Sequence, residues 1–275
     1  MRALYEKGVA SRCIAERFQT DTSTIGRRLK ANGVVLRTPS ESRIVNRCDP
    51  TVFERHTTES AYWFGFVCAD GCVFRNRNRF MLSVSLREDD LQHLEAFRSF
   101  LATDAPISYD SNRRSVRLAI SSERLIDSLA LRGCGPRKSQ SLEFPESGLF
   151  YRSHFVRGFF DGDGSVFIYR RPYPQPTVSF VGTAPFLTGM QDVLCSDVGL
   201  SRNKLYRAGN SEVAKRLSWT GSGNVERIYS YLYAEKGPYL ARKKAVFEAL
   251  PFRVSTVGGA PLAIIKQYIE NQKHV

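Results

Sequence analysis

The sequence predicts an α+β fold: tandem αββαββα repeats about a pseudo-twofold axis, with a small all-α module at the N-terminus. Three observations carry this expectation. Two short apolar runs, Ala61 to Gly71 and Phe155 to Gly164, end in Asp-Gly and continue at once into strand-like residues, Cys72-Val73-Phe74 and Ser165-Val166-Phe167-Ile168-Tyr169. After each run the same order of strand, strand, helix, strand, strand, helix follows. Ahead of both lies a stretch with its own helical pattern and its own turns. The expected division is a helix-turn-helix module over 1–43, a linker over 44–55, a first repeat over 56–150 and a second over 151–275 with a C-terminal helix.

The N-terminal module begins with a short helix over Arg2 to Gly8. Ser11 to Phe18 carries helical apolar spacing at Ile14, Ala15 and Phe18. Gln19-Thr20-Asp21 reads as a tight turn. Thr22 to Ala31 is a further helix, capped by Asp21 or Thr22, with Ile25 and Leu29 inward and Asn32-Gly33 ending it. This arrangement resembles a helix-turn-helix, with Thr22, Ser23, Arg27 and Arg28 facing outward for phosphate and base-edge contacts. A small helical cap with a basic surface is the alternative. Thr38-Pro39-Ser40-Glu41-Ser42 and Cys48-Asp49-Pro50 interrupt any helix between module and main domain, which starts near Val52.

In the first repeat, Val73, Arg75 and Arg77 alternate with Phe74 and Asn76. Phe80, Leu82, Val84 and Leu86 alternate with Arg79, Met81, Ser83 and Ser85. A period of two with one apolar face indicates half-buried antiparallel strands. Asp89 to Leu101 is amphipathic and helical. Ile107 to Tyr109 and Ser115 to Ile120 are the next strands, and Ser122 caps a helix through Leu131. In the second repeat, Ser165 to Arg171 and Thr177 to Val181 are strands joined by a Pro-rich loop. Pro185 to Val198 is a helix with Pro in its first turn. Lys204 to Arg207 and Arg216 to Thr220 are strands, Ser222 caps a helix through Tyr233, and Pro261 to Gln272 forms a last helix.

The endings of the two apolar runs are chemically unusual. A carboxylate in the last turn of a helix meets the negative end of the dipole, at a cost of a few tenths to about 1 kcal/mol. Gly71 and Gly164 suit the left-handed residue that closes a helix. Small residues recur four apart, Gly65 with Ala69 and Gly158 with Gly162, and so share a face. Such a face lets two helix backbones approach. If these two helices pack together, Asp70 and Asp163 arrive side by side. Close carboxylates repel and share a proton, unless a divalent cation with oxygen ligands lies between them.

These stretches resemble the two copies of the LAGLIDADG motif of homing endonucleases. Trp63 to Gly71 and Val156 to Gly164 fill the nine motif positions, 93 residues apart, and the family's catalytic acids fall on Asp70 and Asp163. Cys68 stands where the motif has its first Asp, which Asp161 keeps in the second copy. Gly162 replaces the Ala, and aromatics replace several aliphatics. The resemblance covers Val52 to about Leu250. It implies two antiparallel sheets that straddle double-stranded DNA as a saddle, and a monomer working on a long asymmetric target. It also implies magnesium, or another divalent ion, held by Asp70, Asp163, Ala69 and Gly162. Bound there, the metal would activate water and steady the attacking and leaving oxygens, giving a double-strand break with a short 3′ overhang. One lysine per half is expected near the metals: Lys138 in the first, and Lys243 or its neighbour Lys244 in the second.

The residues expected to face the DNA are Arg75, Arg77, Arg79, Ser83, Ser85, Arg113 and Arg117 from the first half. From the second they are Arg170, Gln175, Thr177, Ser179, Arg207, Arg216, Ser218 and Thr220, with Arg27 and Arg28 from the module. Arg, Gln, Ser and Thr at alternating positions can read base edges, while Arg also holds phosphates. A non-cleaving regulator on the same fold and an intron RNA maturase are the alternatives. Retention of both acids argues against the regulator, and a DNA-reading module against the maturase. The chain has no splicing Cys or Ser at its start and no terminal Asn, which disfavours an intein.

Composition sets the frame. The chain has 275 residues, 42% of them hydrophobic, and a net charge of +13; its mean hydropathy is −0.29 and its pI about 9.7. That balance favours a polyanionic partner, most simply nucleic acid. No apolar run approaches the ~18 residues of a membrane span, and the start lacks the layout of a signal peptide. The expected compartment is the cytoplasm, or wherever the host DNA resides. The six cysteines, Cys13, Cys48, Cys68, Cys72, Cys134 and Cys195, lack zinc-site spacing and are expected to be reduced and buried.

Overall fold

Three short helices open the chain: α1 (Arg2–Glu6), α2 (Ser11–Arg17) and α3 (Thr22–Ala31). The computed structural model describes residues 1–6, 9, 11–37, 46–77, 79–145, 150–169 and 175–250. Arg170, most of the Pro-rich loop after it and the helix expected from Pro261 to Gln272 lie outside these. The α3 start is built as the sequence suggests. Asp21 is the cap, and its carboxylate accepts from the Ser23 hydroxyl, the Thr24 N–H (2.8 Å) and the Thr24 hydroxyl (2.8 Å). These bonds hold its carboxyl well below the usual carboxylate range, the Ser23 hydroxyl contributing most. Tyr5, Ile14, Ala15, Ile25 and Leu29 form a core of their own. Phe18, expected inward, is 45% exposed; it follows the last residue of α2, Arg17, and its N–H still donates to the Ile14 carbonyl at 3.0 Å.

Residues 46–55, expected as linker, are docked on the main body. The Asp49 N–H donates to the Leu101 carbonyl at 2.9 Å, and Val52 and Phe53 are buried in the main core. From there the first half runs α4 (Thr58–Asp70), β1 (Gly71–Asn76), β2 (Arg79–Arg87), α5 (Leu91–Phe100), β3 (Ser108–Asp110), β4 (Ser115–Ile120), α6 (Glu123–Leu131) and α7 (Lys138–Ser141). A 3-10 turn, Glu88–Asp90, leads into α5. The second half runs α8 (Arg152–Asp163), β5 (Gly164–Tyr169), β6 (Gln175–Gly182), α9 (Ala184–Val198), β7 (Tyr206–Arg207), β8 (Lys215–Thr220), α10 (Ser222–Tyr233) and α11 (Ala241–Glu248). The strands form two four-stranded antiparallel sheets of matching order, β1-β2-β4-β3 and β5-β6-β8-β7. The tandem repeat expected from the sequence is therefore the fold.

Capping follows the sequence in most places. The hydroxyls of Thr57, Ser122 and Thr183 accept from the N–H of the third residue of α4, α6 and α9. Ser222 differs. It is the first residue inside α10, and Gly221 at φ +99° occupies the cap position without a side-chain bond.

The two halves meet along α4 and α8. Every residue from Ser60 to Ala69 is buried, as is every residue from His154 to Asp161. A helix that is apolar on all sides belongs in a core. The seam is close because of glycine. A Cβ on Gly65 would collide with the Phe155 carbonyl, and one on Gly158 with the Tyr62 carbonyl. Phe64 and Phe155 close the interface, with ring centroids 5.5 Å apart. Gly71 and Gly164 are required for a different reason from the one the sequence suggested. Both are extended (φ −71°, ψ 137°; φ −86°, ψ 157°), not left-handed. Each helix passes directly into a strand, and an added Cβ would come within 2.6 Å of the Val67 or Phe160 carbonyl oxygen.

Candidate active site

The packing of α4 on α8 puts the ends of both helices together, with Asp70 and Asp163 as the last helical residues. The approach is tight. A Cβ on Gly162 would lie 3.3 Å from Asp70 Cγ and would overlap Ala69 Cβ. Both carboxyls reach solvent, yet the surrounding protein removes much of their water. Desolvation is the main reason the Asp70 carboxyl is pushed up to about 6, and the Asp163 charge adds to it. The Asp163 carboxyl is also raised by desolvation, against the pull of Lys138 and Lys243.

Each helix end is held by a lysine from a distant segment. Lys138 Nζ donates to the Cys68 carbonyl at 2.7 Å and to the Ala69 carbonyl. Lys243 Nζ donates to the carbonyls of Phe160, Gly162 and Gly164 at 2.8, 2.6 and 2.7 Å. The last carbonyls of a helix lack intrahelical partners, and an ammonium there satisfies them and opposes the dipole. All three Lys243 protons are spent in this way. Burial pushes its ammonium down to about 8, against the pull of Asp161, Asp70 and Asp163. The alternative, Lys244, faces elsewhere, 4.3 Å over the Tyr239 ring and 3.7 Å from Glu248. The Ala69 and Gly162 carbonyls expected on the metal side thus already accept from lysines. Sequence reasoning missed Arg242, which pairs with buried Asp90 at 2.9 Å and lowers the Asp70 carboxyl through its charge. It stands in the basic run Arg242-Lys243-Lys244, which was a visible signal.

The sheet faces need two corrections of parity. Val73 pairs with Leu82 and Arg75 with Phe80, so Arg75 lies on the helix-covered face. There its guanidinium stacks on Phe80 and pairs with Asp127 of α6. The open face of β1 is Cys72, Phe74 and Asn76 instead. Cys72 is accordingly exposed, not buried as expected of the cysteines. Arg207 pairs with Lys215 on the covered parity and turns back onto the carbonyls of Asn210 and Ser211. Tyr206, 66% exposed, takes the open side opposite Arg216.

The remaining candidates divide by length. Arg79, Ser85, Arg117, Gln175 and Arg216 are exposed on open faces, with Ser218 half-buried. Arg77 and Arg113 are exposed in hairpin turns, and Arg27 and Arg28 on α3. Ser83, Thr177 and Ser179 have open-face parity but are buried. They are short and lie mid-sheet, and neighbours cover them. Arg117 Nη2 donates to Ser83 Oγ at 3.2 Å, Ser179 bonds Ser165 (2.8 Å) and Thr177 bonds Thr220 (3.1 Å). Phe74 (41% exposed) and Phe167 occupy equivalent open-face positions in the two repeats.

Among the described residues, no three His, Cys, Asp or Glu side chains gather as a metal cage. The donor set is two hard carboxylates whose proton affinity is raised chiefly by desolvation, with the Asp163 charge adding to the effect on Asp70. That suits a cation such as magnesium, which uses one or two carboxylates and takes its remaining ligands from water and substrate phosphate. Among the described residues no helix is long and apolar enough to cross a membrane.

No protein-family model matches the chain, and no curated protein sequence does. Solved structures do. A lysine-to-alanine mutant of I-SmaMI superposes with a TM-score of 0.53 at 12% identity, over 82% of this chain and 97% of that one. The I-SmaMI LAGLIDADG homing endonuclease bound to cleaved DNA gives 0.51 at 13%, over 80% and 92%. Meganuclease I-SmaMI bound to uncleavable DNA gives 0.50 at 11%, over 80% and 99%. The fold of this chain is that of the LAGLIDADG homing endonucleases.

Proposed function

We propose that this chain is a site-specific DNA endonuclease that makes a metal-dependent double-strand break. The observation that carries the reading is the pair Asp70 and Asp163, forced together at the ends of two glycine-packed helices where neither serves the fold. A protein that only needed the fold would gain from losing one of them. In this reading Asp70 and Asp163 hold divalent metal, expected to be magnesium, at the scissile phosphates. When bound, the metal supplies Lewis acidity and a hydroxide nucleophile for displacement at phosphorus. Lys138 and Lys243 fix the helix ends and place positive charge beside the acids, offsetting negative charge that develops at phosphorus. Each half serves one strand. Arg79, Arg117, Gln175 and Arg216 on the open faces read bases or hold phosphates. The chain works as a monomer, since both acids come from one polypeptide, and the N-terminal module extends the footprint through Arg27 and Arg28.

The test is a randomised duplex library incubated with the chain, with magnesium or with chelator. The reading predicts cut ends at one long, partly degenerate sequence with magnesium and none with chelator. Enrichment of a sequence that is never cut would replace it with a DNA-binding regulator.

A further inference from the structure

The first acid of the second motif, Asp161, is 1% exposed and has no place in the reaction proposed above. One of its oxygens is committed twice. Asp161 Oδ2 accepts from the Tyr62 hydroxyl at 2.6 Å and from the Leu240 N–H at 2.8 Å. Leu240 is the residue before α11, and α11 carries Lys243. The Leu240 carbonyl in turn accepts from the Lys243 N–H at 3.0 Å, setting the first turn of that helix. Lys243 Nζ then reaches back to Phe160, Gly162 and Gly164, on either side of Asp161. One carboxylate therefore ties the α8 end, the α4 seam through Tyr62, and the root of the lysine-bearing helix.

The first half offers an independent counterpart. Cys68 occupies the motif position of Asp161 and is buried, and its thiol meets the thiol of Cys134. Cys134 stands four residues before Lys138, much as Leu240 stands three before Lys243. Lys138 likewise reaches back to the Cys68 carbonyl itself. In both halves, then, the residue at the motif's first acid position grips the segment that delivers the lysine, with different chemistry in each.

We infer that Asp161 is a positioning residue for Lys243: its bond to the Leu240 N–H seats α11 so that the ammonium lies against the end of α8 beside Asp163. This rests on the endonuclease reading for its consequence, but not for its geometry.

The experiment has two arms. In the first, the folded full chain is acetylated briefly with acetic anhydride, and each lysine is quantified by peptide mass spectrometry. Lys243 is protected in the native chain. In Asp161→Ala its labelling rises by roughly tenfold or more as α11 opens locally, while Lys215 and Lys236 are unchanged. Asp161→Asn, which keeps an acceptor for Leu240, restores protection. In the second arm, single-turnover cleavage of pre-bound DNA is measured for Asp161→Ala, Lys243→Met and the double variant. Positioning predicts that the double variant is no slower than Lys243→Met alone, because one function is lost once. Unchanged Lys243 labelling in Asp161→Ala, or independent multiplicative losses in cleavage, would overturn the inference. If the native chain cuts no DNA, the endonuclease reading falls and the labelling arm alone decides on Asp161.

Discussion

At the scale of single residues, the site is an electrostatic compromise between two acids and two lysines. Lys243 is 5% exposed and satisfies three carbonyls. Lys243→Met removes the buried donor these carbonyls share, although the Phe160 carbonyl keeps the Gly164 N–H, and we expect a loss of about 2 kcal/mol of unfolding free energy in urea titration. Lys138→Met, half-buried with two acceptors, should cost less. The places of the two acids were legible in the sequence because motif spacing fixes them, whereas the lysines were suggested only by family resemblance and two basic stretches, with Lys243 and Lys244 left open. Arg75 and Arg207 were not. Both sit near strand ends rich in arginine, where a basic residue looks outward on either parity. Only the register, Arg75 opposite Phe80 and Arg207 opposite Lys215, reveals the covered side. The buried Val73 was the available clue to β1. The partner of Asp161 was beyond reach of pattern reading, because it is a backbone N–H 79 residues away.

At the scale of elements, the molecule depends on how closely α4 and α8 approach. A Cβ on Gly158 would overlap the Tyr62 carbonyl, which is backbone and cannot turn aside. Gly158→Ala should therefore cost ~3 kcal/mol, near the upper end for overpacking, read as a fall in denaturation midpoint. Gly26 in α3 is the opposite case. Its Cβ would meet only Leu36 Cδ1 at an ordinary 3.6 Å. Gly26→Ala should stabilise α3 by about 0.5–1 kcal/mol through reduced backbone freedom in the unfolded chain, seen as slower amide exchange in that helix. The small-residue spacing announced the seam, and period-two alternation announced the strands. The glycines at the helix ends were read for the wrong conformation, since direct passage from helix to strand leaves no turn in the sequence to recognise.

At the scale of the whole molecule, charge and burial set the response to conditions. His93 is buried against Tyr62, and desolvation, helped by Arg242 and Lys243, holds its imidazole down at about 4. The unfolded chain takes up a proton near pH 6.5, and the folded chain only near pH 4. The contribution of His93 should thus be intact above pH 6.5 and fall by roughly 3 kcal/mol as acid approaches pH 4, opposed over the same range by Asp70, whose raised carboxyl takes up its proton earlier in the folded chain than in the unfolded one. His93→Gln should flatten that part of the acid limb in urea titrations between pH 7 and 5. A net charge of +13 favours phosphate contacts, each worth roughly 0.9 in the slope of log affinity against log salt. If Arg27 and Arg28 hold phosphates, replacing both with Ala should lower that slope by about 2 and shorten the protected footprint at one end. An unchanged slope would leave the module outside the complex.

The most direct measurement is strand-resolved cleavage of a duplex selected by the native chain, comparing it with Asp70→Asn, Asp163→Asn and the double variant. The account predicts that the native chain breaks both strands with magnesium and that either single variant loses double-strand breakage. All four proteins should still bind the duplex with calcium in place of magnesium. Double-strand breakage that survives in the double variant would show that the paired carboxylates are not the catalytic centre.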